Sequence, residues 1–258
     1  MKNTIGFIGG GRITNIFLHA FESANVSFGK VLVFDPDTET LLKLQNRFTH
    51  IECASENIKS AASCNFVFIA VHPPLMIETL TNIKPFLNEK AIVVSLAPKI
   101  KIKKIAEVLD GFQAIARVNP SAPGIINQGI NPIVFADTMS EDQKKRLLEL
   151  LHILGKVPVV PEQKIEAYAM INAMGPTYFW FQFKKLEELA ISFGMDEKEA
   201  KEIISEMING TLNTLFFSTL STEEVMDLVP VKPIGEYEET ISSFYSEKLN
   251  AIYEKIKP

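Results

Sequence analysis

Three consecutive glycines, Gly9-Gly10-Gly11, stand directly behind an apolar run, Ile5 to Ile8, and directly ahead of a helical pattern opening Arg12-Ile13-Thr14. A glycine turn lets backbone N–H groups approach a pyrophosphate, and the positive N-terminus of the next helix favours that anion. Asp35 ends the next apolar run, Val31-Leu32-Val33-Phe34. A carboxylate at that point can accept both hydroxyls of an adenosine ribose. Strand, turn, helix and acid in this order predict a dinucleotide site at Gly9, Gly11, Arg12, Ile13 and Asp35. The third fingerprint position is Thr14 rather than Gly or Ala, so strand and helix are expected to sit slightly further apart. Asp35, Asp37 and Glu39 would repel a 2′-phosphate, and no Lys or Arg follows closely. That charge pattern favours NADH over NADPH. Arg12 is the one nearby cation and is better placed for the pyrophosphate.

Other groups take their meaning from the strand ends on which they fall. His72 follows a strand whose carboxyl end faces the expected cofactor crevice, with Pro73-Pro74 fixing the loop behind it. Asn119 and Ser121 follow a later strand, where their amides and hydroxyl suit the nicotinamide ribose or carboxamide. Arg117 ends an apolar strand and is expected to support that loop structurally. His19, His50 and His152 have no clustered partners. Cys53 and Cys64 match no metal spacing and read as small buried apolar groups. The basic cluster Lys99, Lys101, Lys103 and Lys104 reads as a solvated helix start.

These side chains need a frame. Apolar runs at Asn65–Val71, Ala91–Leu96, Ala114–Val118 and Pro132–Phe135 read as buried strands, with a weaker strand over Lys156–Val160 closing the sheet. Helical periodicity separates them around Leu41–Phe48, Leu75–Phe86 and Glu141–Leu154. The alternation predicts a doubly wound parallel sheet of the Rossmann kind. After Pro161 strand signals nearly vanish. Helical patterns cover Glu162–Gly194, Glu197–Phe217, Ser221–Asp227 and Glu236–Lys257, with a kink expected at Gly175-Pro176. The expected division is residues 1–160, a dinucleotide-binding domain, and 161–258, an all-α domain. That second part carries Tyr178, Phe179, Trp180, Phe181, Phe183, Leu212, Leu215, Phe216 and Phe217. A helical piece of this size would struggle to bury so much apolar surface alone, so a second copy is the expected cover, with packing on the sheet domain as the simpler alternative.

The composition narrows the class. The chain has 258 residues, 47% of them hydrophobic, and a net charge of −5. An acidic chain offers a nucleic acid no electrostatic support. No apolar run reaches transmembrane length, and a strand pattern begins at once where a signal peptide would stand, so a cytoplasmic protein is expected.

A Rossmann domain followed by a helical domain resembles the pyrroline-5-carboxylate reductases over nearly the whole length. Four segments carry the resemblance in order: Gly9-Gly10-Gly11-Arg12-Ile13; Ala70-Val71-His72-Pro73; Arg117-Val118-Asn119-Pro120-Ser121-Ala122-Pro123 with Gly129 following; and Ala173-Met174-Gly175-Pro176-Thr177-Tyr178. The resemblance implies an NADH- or NADPH-dependent reductase of a cyclic imine, working as a homodimer or larger homo-oligomer in proline biosynthesis. It places Ala70, His72 and Pro73 beside the cofactor, with His72 near the adenosine or ribose. It places Met174, Gly175 and Pro176 at the substrate.

The chain departs from the family at a second substrate turn, which falls on Lys232-Pro233-Ile234-Gly235-Glu236-Tyr237. Tyr237 occupies the position of a Thr that bonds the imine nitrogen, and Lys232 replaces a Ser. Tyr237 could donate a proton from its phenol, Lys232 could pair with a substrate carboxylate, and Glu236 could favour a cationic imine. With Gly235, these make the candidate catalytic and substrate set. The same residues would also suit a solvated turn ahead of the last helix. Two other readings stay open: a nucleotide-binding homologue with altered catalysis, and an F420- or NADP-linked oxidoreductase sharing only the first half.

Overall fold

The computed structural model describes residues 3–257. It divides into two compact units, one running through Met174 and taking in the residues from Tyr253, the other Gly175–Ile252.

The first unit alternates strand and helix: β1 (Thr4–Ile8), α1 (Arg12–Ser23), β2 (Lys30–Phe34), α2 (Thr38–Arg47), β3 (Glu52–Ala54), α3 (Ile58–Ala62), β4 (Phe66–Ile69), α4 (Met76–Ile83), β5 (Ile92–Ser95), α5 (Ile102–Val108) and β6 (Ile115–Val118). All residues of β4, β5 and β6 are buried, as strands covered on both faces require. The sheet order is β3-β2-β1-β4-β5-β6 with every pair parallel. The order reverses between β1 and β4, the switch point at which such sheets bind ligands beyond their carboxyl ends. Phe7 and Phe68 stack at 5.1 Å and Phe17 of α1 meets Phe7 edge-on at 5.4 Å, filling one side of the sheet. Ile8, Val67, Ile69 and Val93 fill the other.

The far edge differs from the expectation. The sheet is closed by β8 (Ile133–Phe135), antiparallel to β6, and not by Lys156–Val160. β9 (Gly155–Lys156) pairs instead with β7 (Gly129–Ile130) in a separate two-stranded ladder. Of the expected closing strand, Val159 alone bridges Ile133. Pro158 denies that segment a ladder donor, and Pro161 stops it. The short strand β3 was not signalled, because its Glu-Cys-Ala sequence has no apolar run.

Helix starts are set by side chains. Asp37 caps α2, Asn57 caps α3, and Ser140 with Gln143 forms a capping box on α6 (Glu141–Leu151). Thr14 is buried, and its hydroxyl donates to the Gly9 carbonyl at 2.6 Å. The residue that breaks the fingerprint thus ties α1 to the glycine turn.

The long helix expected over Glu162–Gly194 is broken. A 3₁₀ turn, Glu162–Lys164, leads to α7 (Ile165–Tyr168) and then to a π-helical turn, Ala169–Ala173, in which the Met174 amide reaches the Ala169 carbonyl at 3.0 Å. α8 (Pro176–Ser192) then starts on the proline. Pro176 has no N–H and its ring would strike a carbonyl of the preceding turn, which the wider turn relieves. The sequence changes character near residue 160, but the first unit runs on through Met174. Glu162 and Glu166 pair with Arg117 of β6, and the Asn172 amide donates to the Ile130 carbonyl at 2.6 Å.

The second unit is helical. Gly194, at φ 104°, ends α8, and Asp196 caps α9 (Glu197–Phe217). A Ser221–Glu224 capping box starts α10 (Thr222–Asp227), and α11 (Glu238–Ile256) follows. Between Gly175 and Ile252 the only buried side chain is Ala200. Phe181, Phe193 and Phe217 are 69%, 78% and 81% exposed.

Candidate functional site

The nucleotide end is built at the carboxyl ends of β1, β2 and β4. Gly9 takes φ 108°, and a Cβ there would lie 2.5 Å from the Ala70 carbonyl oxygen, so only glycine fits between the strand ends. Gly11 is different: a Cβ there would meet nothing within 4 Å. The space beside it is open, in front of an α1 N-terminus that has no side-chain cap and no acid in its first turn. Its first-turn amides have no side-chain acceptor, so they are free to meet an anion. Arg12 is exposed at the same end, and Ile13 is half-buried.

Asp35 stands across the turn. Its Oδ2 accepts the Gly10 amide at 2.7 Å and its Oδ1 accepts the Asp37 amide at 2.9 Å. The carboxylate is therefore fixed, with lone pairs left to accept hydroxyls. Asp37 is spent on capping α2: it accepts from the Glu39 amide and from the Thr40 hydroxyl, and that hydroxyl bond holds its carboxyl below the usual value. Lys43, the nearest cation on α2, is paired with Glu39 at 2.6 Å.

His72 is exposed beyond β4, with half-buried Pro73 beginning a 3₁₀ turn behind it. Asn119 is half-buried after β6. Ser121 corrects an expectation. It is 1% exposed, its Oγ accepts the Ile130 amide at 3.0 Å, and its own amide donates to Asn131. Its hydroxyl holds the loop to β7 and does not face the crevice.

Arg117 supports this region, as its place on an apolar strand implied, and its partners are the residues that the sequence did not disclose. Its Nη2 donates to Glu166 Oε1 at 2.5 Å and its Nη1 to Glu162 Oε1 at 3.0 Å. Arg117 and Glu166 are both almost fully buried. Glu162 also accepts the Ile102 amide at 2.8 Å, capping α5. A clue was available: an arginine inside an apolar strand requires a buried acid, and Glu162 and Glu166 are spaced one helical turn apart.

The second candidate turn lies in the helical unit. Residues Gly235–Tyr237 form a 3₁₀ turn directly ahead of α11, with the Gly235 amide donating to the Lys232 carbonyl at 3.0 Å. Lys232, Glu236 and Tyr237 are exposed. Lys232 and Gly235 line an apolar cavity of about 460 Å³ with Leu215, Met226 and Ile241. Of the residues expected at the substrate, Met174 ends the first unit, while buried Gly175 and half-buried Pro176 open the second. Burial raises the Cys53 and Cys64 thiols to about 11, so neither is a nucleophile near neutral pH.

Comparison with known proteins matches the two parts separately. Residues 4–99 match the family model described as NADP oxidoreductase, coenzyme F420-dependent, and residues 162–256 match pyrroline-5-carboxylate reductase dimerisation. Together with relatives named pyrroline-5-carboxylate reductase, these matches support a member of that family. An F420-linked enzyme sharing only the first half does not account for the second match. The family's reductase from Escherichia coli (strain K12) is 24% identical over 82% of this chain and 78% of its own length. That from Staphylococcus saprophyticus is 21% identical over 96% and 92%. Among solved structures, the Plasmodium falciparum pyrroline carboxylate reductase with NADP bound aligns at a TM-score of 0.80, with 21% identity over 99% of this chain and 97% of that one. The Streptococcus pyogenes 1-pyrroline-5-carboxylate reductase aligns at 0.76, with 17% identity over 99% and 98%. The chain therefore shares the fold of these reductases, with a Rossmann part followed by a helical part. Among the described residues no helix is long and apolar enough to cross a membrane.

Proposed function

We propose that this protein is an NAD(P)H-dependent reductase of a cyclic imine, with pyrroline-5-carboxylate as substrate and proline as product. The observation that carries the reading is the open space at Gly11 before an uncapped α1, faced by the fixed carboxylate of Asp35. That arrangement suits a dinucleotide, and it sits on a chain whose second half matches the dimerisation family of these reductases. Asp35, with no unpaired cation on α2 nearby, favours NADH over NADPH. The relative from Plasmodium falciparum was solved with NADP, so the preference rests on this chain's own acids.

The reaction adds a hydride to the imine carbon and a proton to its nitrogen. The nicotinamide supplies the hydride. The protein's part is to hold the pyrophosphate at Gly9, Gly11, Arg12 and Ile13, and the adenosine ribose at Asp35. Ala70, His72 and Pro73 flank the dinucleotide, and Asn119 orients its nicotinamide end. Met174, Gly175 and Pro176 shape the substrate pocket. Lys232 pairs with the substrate carboxylate beside Gly235, Tyr237 gives the proton to the imine nitrogen, and Glu236 favours its cationic form. The exposed apolar side chains of α8 and α9 are covered by a second copy, giving a homodimer or a larger homo-oligomer. The protein works in the cytoplasm.

The test is NADH oxidation with pyrroline-5-carboxylate across a range of pH. Turnover with proline as product supports the reading. NADH binding without turnover on this or any other imine supports instead a nucleotide-binding homologue with altered catalysis. Sedimentation of the intact chain tests the second copy, and a monomer at micromolar concentration removes it.

A further inference from the structure

The buried charges around Arg117 join β6 to the loop after β5 and to the starts of α5 and α7. Glu166 Oε1 takes Arg117 Nη2 and the Lys99 amide at 3.4 Å, and Lys99 sits at φ 73°, a conformation that costs a lysine strain. Glu162 Oε1 takes Arg117 Nη1 and the Ile102 amide. The Asn119 side-chain amide lies across the same junction, donating to the Ile165 carbonyl at 3.4 Å. The loop after β5 and the starts of α5 and α7 therefore share one ionic centre, and Asn119 of the loop after β6 is tied to α7 beside it.

That centre is incompletely satisfied. Arg117 Nε and Glu166 Oε2 are buried without a hydrogen-bond partner. Between β5, β6 and α7 lies a cavity of about 10 Å³ that Arg117, Glu166, Asn119 and Ala97 help to line, which is room for one water. Such an arrangement is dearer than an apolar core of the same volume, and a fold that needed only stability would gain from replacing it. It does what an apolar core cannot: it fixes a strained backbone amide directly, and it anchors the start of α7, to whose Ile165 carbonyl the Asn119 amide is bonded.

In a doubly wound sheet the two halves of a dinucleotide lie on either side of the switch point. Asp35, beyond β2, takes the adenosine half, which leaves the β5–β6 edge for the nicotinamide half. We infer that Glu166, acting through Arg117 and the Lys99 amide, is a positioning residue that sets the loop at Ala97–Lys99 and Asn119 for the nicotinamide half of the cofactor. The inference rests on the dinucleotide part of the function proposed above and not on the identity of the imine.

The experiment compares two ligands on Glu166→Gln, which keeps the side-chain shape and removes the charge. NADH binding is followed by its own fluorescence and ADP-ribose binding by calorimetry, on full-length protein. The dissociation constant for NADH rises about tenfold, the loss expected for one charged hydrogen-bond system, while that for ADP-ribose stays within about twofold. A purely structural role would move both together or neither, and either of those results overturns the inference. If Glu166→Gln does not fold, Glu162→Gln decides, since that side chain is only partly buried. It is expected to weaken NADH by about threefold and to spare ADP-ribose, the smaller share of the same charge-assisted bonding. An unchanged NADH affinity in that variant rejects the assignment. A wild-type protein that binds neither ligand removes the dinucleotide reading itself, and one that binds both without reducing pyrroline-5-carboxylate removes only the substrate.

Discussion

The carboxylate of Asp35 accepts the backbone amide of Gly10 at 2.7 Å, across the turn that would cradle a pyrophosphate. One acid fixes the glycine turn and, in the proposed dinucleotide complex, would hold negative charge where a 2′-phosphate lies. Asp35→Ser removes the charge and shortens the side chain. The dissociation constant for NADH is expected to rise about tenfold, while NADPH binds no worse or better. The ratio of the two constants, measured by fluorescence titration, reads the effect. An unchanged ratio would place the acid off the ribose.

Gly9 and Gly11 separate stability from binding. Gly9→Ala puts a methyl 2.5 Å from the Ala70 carbonyl at a left-handed φ, so a loss of about 2–3 kcal/mol in unfolding free energy is expected. Gly11→Val places its side chain in open space at an ordinary φ of −74°, so the melting temperature stays within a few degrees. Its cost falls on the nucleotide, whose pyrophosphate would meet the new side chain. Denaturant melts and NADH titration of the pair check both halves.

The readable parts of this chain were those governed by local rules. The glycine turn, the capping residue Asp196 and the helix stop at Gly194 each follow from backbone chemistry within a few residues. The buried strands follow from unbroken apolar runs. What escaped depended on pairs distant in sequence. β8 pairs antiparallel to β6, and the later segment touches only the outer side of β8 through the Ile133–Val159 bridge, a long-range arrangement invisible to propensity. The break ahead of Pro176 was legible as a kink but not as a π-helical turn. Nothing in the local pattern around Glu166 marks it as buried, because its partner Arg117 lies 49 residues earlier. Ser121 looked like a ligand group until Ile130 took its oxygen. The first unit's limit at Met174 follows from those same long-range pairs.

Cys53 and Cys64 give a pH test of burial. Both thiols are pushed up to about 11 in the fold, because burial disfavours the thiolate, from an ordinary value of 9.0. At pH 8 the thiolate fraction is therefore roughly a hundredfold below that of an unfolded cysteine, and alkylation should slow in proportion. Iodoacetamide labelling followed by mass spectrometry should be slow at pH 8, rise as pH approaches 11, and become fast at pH 8 once urea unfolds the chain. Fast labelling of the folded protein at pH 8 would contradict the burial of these groups.

Tyr237 and Lys232 face the sharpest kinetic test, because they stand where relatives of this fold are expected to have smaller polar groups. Tyr237 is 55% exposed in the single chain, so Tyr237→Phe removes one hydroxyl with little effect on stability. If the phenol gives its proton to the imine nitrogen, kcat falls by about a hundredfold while KM for the imine changes little, since the lost contact acts in the transition state. Lys232→Met removes a charge and keeps an apolar stem against the cavity that Leu215 and Ile241 line. If the ammonium pairs with the substrate carboxylate in both ground and transition states, KM rises about tenfold and kcat holds. The two variants should therefore fail in different constants, and a lactam or amine lacking the carboxylate should inhibit wild type and Lys232→Met alike. Full activity in Tyr237→Phe would return Tyr237 to the role of a solvated residue ahead of α11 and leave ordered water as the proton source.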